Sequence, residues 1–195
     1  MGYSIDPITS DCYEGTACLI NKFDIRDEKK LSQMETLITT AKCKELEMNP
    51  IEGDFGFDHY KSIHKYLFKD LYDWAGEVRT FSISKMGTVF TAPQSIETAA
   101  QKIFTGLQKE NCYIGYDCER FIESIVDLYC STNMLHPFRE GNGRTQRVFL
   151  AQLIRHSGHD INFSTMDMDE LMIATIQSAN GVVDYLRDLF NESIT

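Results

Sequence analysis

The chain is short of the features that would assign it to several common classes. Its six cysteines (Cys12, Cys18, Cys43, Cys112, Cys118 and Cys130) include no CxxC pair. That spacing argues against a zinc site and for free thiols in a reducing compartment. No apolar run approaches the ~20 residues of a membrane span. The opening MGYSIDPITS has neither a basic region nor an apolar core, so it does not read as a secretory signal. Asp6 stands where N-myristoylation requires Ser or Thr. Basic charge is scarce: 19 Lys and Arg face 29 Asp and Glu, a formal net charge of −10, unlike a nucleic-acid binder. These absences predict a cytoplasmic protein with no membrane anchor and no direct nucleic-acid partner.

Repeats, low-complexity tracts and Pro/Gly/Ser linkers are missing too. With 195 residues, 43% of them hydrophobic, the chain is expected to form one domain over 1–195, its core from about 13 to 190. What is present is a succession of amphipathic helical patterns. Leu31, Met34, Leu37, Ile38, Ala41 and Leu46 predict a helix over 27–48, with Pro50 beyond its end. Tyr60, Ile63, Leu67 and Leu71 predict a second, with Asp58 as N-cap. Ser95 is expected to cap a third that carries Ile96, Ala100, Ile103, Phe104 and Leu107. Phe121 to Tyr129 mark a fourth. Leu171 to Ile176, and Val182 to Phe190, predict two more after the motif described next.

The most informative stretch is HPFREGNGRTQR, from His136 to Arg147. Each polar group meets one demand of phosphate chemistry. His136 is a candidate base with an unperturbed pKa of about 6.5. Glu140 suits a hard cation such as Mg²⁺. Gly141 and Gly143 let backbone N–H groups approach an anion. Arg144 and Arg147 lie three apart, on one helical face, and can clamp phosphate oxygens. The glycines should open a helix whose apolar side holds Val148, Leu150, Ala151 and Ile154, ending near Arg155, His156 and Gly158. The turn then sits at a positive helix N-terminus, a ready anion site. Each residue also has a plainer reading. His136 could cap a helix, Glu140 could merely oppose Arg144, and Arg147 could be a surface charge. Phe138 reads as a core anchor for the loop. His59, His64, His156 and His159, with Phe68 and Trp74, read as structural.

This segment resembles the signature of the Fic family (filamentation induced by cAMP), H-P-F-x-(D/E)-G-N-G-R-x-x-R. Every specified position is met, a chance match on the order of one in 10^11 per starting position. Doc toxins carry alanine and lysine in the glycine turn, so Gly141 and Gly143 make the chain resemble the nucleotidyl-transferring branch. Tyr13 to Thr16 with Leu19 and Asn21, Asn49 to Ile51, Ile63 to Phe68, and Trp74 to Arg79 with Ile83 to Lys85 and Phe90 extend the resemblance to bacterial cores that pair with a separate antitoxin. The resemblance implies an all-α fold, a Fic-type helical bundle with one short β-hairpin flap over the active site. Arg79 to Phe81 and Val89 to Thr91 are the expected strands, with Met86 and Gly87 near the turn.

The resemblance further implies a protein adenylyltransferase that moves AMP from ATP to a Ser, Thr or Tyr hydroxyl of a target protein. His136 would be the base. Phe138, Gly141, Asn142, Gly143, Arg144 and Arg147 would form the nucleotide site, and Glu140 would hold Mg²⁺. Asn142 would orient the α-phosphate, and the arginines would hold the β- and γ-phosphates. Family members are restrained by a helix bearing (S/T)-x-x-x-E-(G/N), whose glutamate pairs with the second motif arginine, here Arg147. Ser10 to Gly15 matches that pattern but coincides with the core-opening sequence, so a small antitoxin acting in trans is expected instead. Other readings stay open: another donor such as UTP, GTP or a CDP-alcohol, a non-catalytic phosphate-binding domain, or AMP removal dependent on Glu14.

Overall fold

The structure, a computed structural model, describes residues 4–5, 11–85 and 87–195. Among these residues seven α-helices and one small sheet are found: α1 (Glu28–Met48), α2 (Phe57–Phe68), α3 (Ile96–Lys109), α4 (Cys118–Leu135), α5 (Asn142–His156), α6 (Met168–Ala179) and α7 (Asp184–Ser193). The strands are β1 (Ser4–Ile5), β2 (Ile83–Lys85) and β3 (Thr88–Val89), antiparallel in the order β1-β2-β3. The expected helical bundle with one hairpin is the architecture observed. All six cysteines are free. No helix among the described residues is long and apolar enough to cross a membrane.

Local chemistry sets most boundaries. Asp27 caps α1 by accepting from the Lys30 N–H, Asp117 caps α4 through Arg120, and Asp167 caps α6 through Asp169 and Glu170. Two expected caps are corrected. Helix α2 starts after Gly56, whose N–H donates to Asp54. Asp58 therefore lies inside its first turn and pairs with Lys61. Ser95 does precede α3, but it ends a short 3₁₀ turn (Pro93–Ser95) in helical geometry, and its hydroxyl caps nothing.

Helix α5 is the hub, packing against α1, α2 and α4, while α4 also meets α3, α6 and α7. Phe149, Leu150, Leu153 and Ile154 are fully buried along it. Burying side chains of this kind contributes about 1.5–3 kcal/mol each, so the helix that opens at the glycine turn is anchored by the centre of the core.

The flap departs from expectation. Its strands are Ile83–Lys85 and Thr88–Val89, not Arg79 to Phe81 and Val89 to Thr91. The reason is tertiary. The Arg79 N–H donates to Pro137 C=O and the Thr91 N–H to Met134 C=O, so these main-chain donors are spent on the end of α4 and the loop beyond it and not on strand pairing. Gly87 takes φ +83 at the turn, and Met86 lies outside the described residues. Pairing of β1 with β2 had no sequence signal.

Candidate active site

Helix α4 ends at Leu135, and His136 follows as its C-cap in the left-handed region, φ 41 and ψ 59. For a residue with a Cβ this costs about 1–2 kcal/mol, so surrounding contacts must hold it. The His136 N–H donates to Thr132 C=O at 3.2 Å, and its own carbonyl accepts from Arg79 Nε at 2.8 Å. Its ring stacks on Phe90 with centroids 3.7 Å apart. Its Nδ1 lies 3.0 Å from Asn133 C=O. A carbonyl only accepts, so Nδ1 carries the proton and Nε2 keeps the lone pair. Burial pushes the ring pKa down to about 3, with Arg79 and Lys85 adding to the shift against the Asn133 hydrogen bond. The ring is thus a neutral imidazole whose Nε2 is the basic nitrogen.

The loop beyond is held from within. Phe138 is fully buried, stacked on His64 at 3.8 Å and on Tyr60 at 5.7 Å. It is the anchor its plainer reading expected, and its side chain offers no surface to a nucleotide. Asn142 is 3% exposed. Its Oδ1 accepts from the Phe138 N–H at 2.9 Å and its Nδ2 donates to Phe138 C=O at 2.8 Å. The amide thus staples the loop from within. His64, read as structural, accepts from the Gly76 N–H at Nδ1 (2.8 Å) and therefore donates from Nε2 to Glu140 C=O (3.0 Å). Burial pushes its pKa down to about 3 as well.

Gly141 sits at φ +79, and a Cβ there would lie 2.2 Å from the Phe68 ring, so no other residue fits. The first-turn N–H groups of α5, from Asn142 to Arg144, have no acceptor inside the helix. Together with the dipole they make this helix end attractive to anions. The Glu140 carboxylate accepts from the Gly141 N–H at 2.8 Å.

The two motif arginines are placed differently. Arg144 donates to Glu35 at 2.5 Å and to Thr39 at 3.2 Å, lies 3.5 Å from Glu140, and covers the Phe68 ring. Tyr72 donates to the other oxygen of Glu35 at 2.5 Å. Arg147 makes no ion pair or hydrogen bond among the described residues. Burial, then Arg144, lowers its pKa against the opposing influence of Tyr129. Beside it a groove of about 180 Å³ runs between α1, α5 and the segment before α6, with Leu46, Val148, Ala151, Ile161 and Phe163 in its walls.

Glu35, Thr39, Tyr72 and Arg79 were not singled out by sequence. One signal was available for the first two: they interrupt the buried stripe of α1 between Leu31 and Leu46 with polar side chains. Glu14 lies in an exposed turn between the bridged residues Cys12 and Leu19, and no helix includes it. Ser10 is outside the described residues. The inhibitory reading of this segment therefore lacks its helix.

The sequence profile of the Fic/DOC family matches residues 54–154. The chain is 35% identical over 192 residues to the protein adenylyltransferase VbhT of Bartonella schoenbuchensis, covering 98% of this chain and 40% of that protein. It therefore spans less than half the length of that relative. It is 34% identical over 177 residues to a probable protein adenylyltransferase of Sinorhizobium fredii, covering 90% of this chain and 89% of the relative. The fold is similar to that of BepC, a VirB-translocated effector of Bartonella tribocorum solved with bound AMPPNP. The TM-score is 0.87 at 25% identity, covering 95% and 96% of the two chains.

Proposed function

The chain belongs to the Fic/DOC family, and on that footing we propose that it transfers AMP from ATP to a hydroxyl side chain of a target protein. The carrying observation is a neutral imidazole with Nε2 as its basic nitrogen, directly before a helix N-terminus that bears Arg144 and Arg147. The target hydroxyl oxygen attacks the α-phosphorus, and its proton passes to Nε2 of His136. The bond from the α-phosphorus to the pyrophosphate oxygen breaks. A bound polyphosphate raises the His136 pKa from its depressed value toward the range useful to a general base. Phosphate oxygens rest on the N–H groups at the start of α5. Arg147 and the open edge of Arg144 stabilise the departing pyrophosphate.

The donor set fits Mg²⁺. Glu140 supplies one carboxylate beside the anion site, and no cluster of three metal-ligating side chains exists among the described residues. Such a site matches an ion bound by one carboxylate, water and the substrate's own phosphates. When bound, the ion would neutralise phosphate charge.

The target chain would lie along β3, the edge strand on the hairpin side of the sheet, by main-chain pairing with little side-chain selection. We also propose restraint in trans. A small antitoxin helix would fill the groove of Leu46, Val148, Ala151, Ile161 and Phe163 and offer a carboxylate to Arg147. The absence of a helix at Glu14 supports this over self-inhibition and over AMP removal by that residue. One continuous core from Cys18 to Phe190 supports action as a single domain, and the free thiols suit a reducing cytoplasm.

The test is label transfer to lysate proteins in parallel reactions with ATP labelled at the α- or the γ-phosphorus. Label from the α position alone is the expected result. Label from the γ position would make the protein a kinase, and equal or better use of UTP or GTP would change the donor.

A further inference from the structure

One buried guanidinium joins the flap to the catalytic histidine. Arg79 is 4% exposed and lies in the segment between α2 and β2. Its Nε donates to His136 C=O at 2.8 Å. Its Nη1 donates to Phe81 C=O at 2.7 Å and its Nη2 to Thr91 C=O at 2.6 Å. Phe81 and Thr91 are the two roots of the flap, just before β2 and just after β3. The Arg79 N–H also donates to Pro137 C=O at 2.9 Å. A second set of contacts runs parallel to these. Phe90, at the end of the flap, stacks on the His136 ring, and Thr91 donates to Met134 C=O from both its N–H (3.0 Å) and its Oγ1 (2.9 Å).

The geometry is more than a buried arginine needs. A guanidinium has a rigid planar fork, so the acceptors named above are fixed relative to one another. One of them belongs to the single residue in this loop that holds a left-handed backbone despite its Cβ. A residue in such a conformation keeps it only where neighbours over-determine it. Arg79 supplies one of those restraints and takes its other two acceptors from the flap.

We propose that Arg79 is a positioning residue that makes the flap and His136 one rigid unit. A target strand laid along β3 then presents its hydroxyl at a fixed distance from Nε2. This deepens the adenylyl-transfer reading and rests on it. Arg79 touches neither substrate nor nucleotide in this account, so its effect falls on the chemical step with protein target and not on ATP binding.

Three measurements on the full chain test it. In Arg79→Lys and Arg79→Met, kcat for target modification should fall about 100-fold, the size expected of a misplaced reacting group. The affinity for AMPPNP, read by calorimetry, should stay within about twofold. Combining Arg79→Lys with Phe90→Leu should give a loss smaller than the product of the single losses, because both act through the same unit. Apart from activity, Arg79→Lys should change the His136 ring resonances and speed amide exchange in the flap together, while α6 and α7 are unaffected. Should Arg79→Met fail to fold, Arg79→Lys carries all three readings. Unchanged kcat in a folded variant, an equal loss of AMPPNP affinity, or flap exchange that moves without the His136 signals would each overturn the proposal. If the unaltered protein transfers nothing, the adenylyl-transfer reading fails, while the resonance and exchange data still decide whether the two parts are coupled.

Discussion

The motif loop, residues 136–147, and the flap, residues 83–89, meet at His136, yet they are held in opposite ways. In the loop several polar side chains and carbonyls are bonded within the protein. Asn142 staples Phe138, His64 takes the Glu140 carbonyl, and Glu35 takes Arg144. The flap has strands of three and two residues, an open outer edge, and Val89 70% exposed. A base and an anion site need fixed positions before substrate arrives. A surface that accepts another chain by strand pairing needs accessible main chain. Under the proposed function each region has what its task requires, and Arg79 and Phe90 join the two.

The largest effect expected from breaking this contrast comes from its glycines. Gly141→Ala puts a Cβ at φ +79 and 2.2 Å from the Phe68 ring. It should cost about 2–3 kcal/mol of unfolding free energy and most nucleotide binding. Gly87→Ala in the flap has the same backbone strain, φ +83, but nothing within 4 Å. It should cost only about 1 kcal/mol and leave AMPPNP binding intact. Urea unfolding with calorimetry checks both, and equal costs would erase the distinction between the regions. Next in size is Glu35→Ala. It strips Arg144 and Tyr72 of a shared side-chain acceptor and should destabilise by about 1–3 kcal/mol. A change within experimental error would mean that Arg144 is held by Thr39 and Glu140 alone.

Acid should also separate the regions. His64 and His136 have ring pKa values pushed down by burial to about 3, against about 6.5 in the unfolded chain. Between these values the unfolded chain binds more protons. The stability tied to neutral rings is thus fully present above about pH 6.5 and lost as pH falls from there toward 3. The slope is up to about 1.4 kcal/mol per pH unit per histidine. Urea midpoints should decline between about pH 7 and pH 5, and a flat profile would contradict the burial of both rings. The smallest effect is expected at Glu14→Gly. The residue is exposed in a turn, so transfer activity should not change, whereas strong activation would restore the self-inhibition reading.

The sequence carried the loop and most helices because their determinants are local. Twelve consecutive residues hold the whole motif, and apolar periodicity marks the bundle. Local signals failed where distant bonds decide. The Arg79 to Phe81 segment has strand-like residues, but its hydrogen bonds go to Pro137, His136 and Thr91. Glu35 and Arg144 are 109 residues apart, and His64 and Glu140 are 76 apart. That the Asn142 amide bonds both sides of the Phe138 peptide was not legible for a related reason. A motif names the residues of a site without saying which side chains face the ligand and which hold the loop.

The most direct test of the central claim is the mass added to a modified target peptide after incubation with Mg-ATP, compared between the unaltered protein and His136→Ala. The account predicts one adenylyl group on a Ser, Thr or Tyr side chain, with yield reduced at least about 1000-fold in the variant. A phosphate-sized addition, or an adenylyl addition that persists without His136, would contradict it.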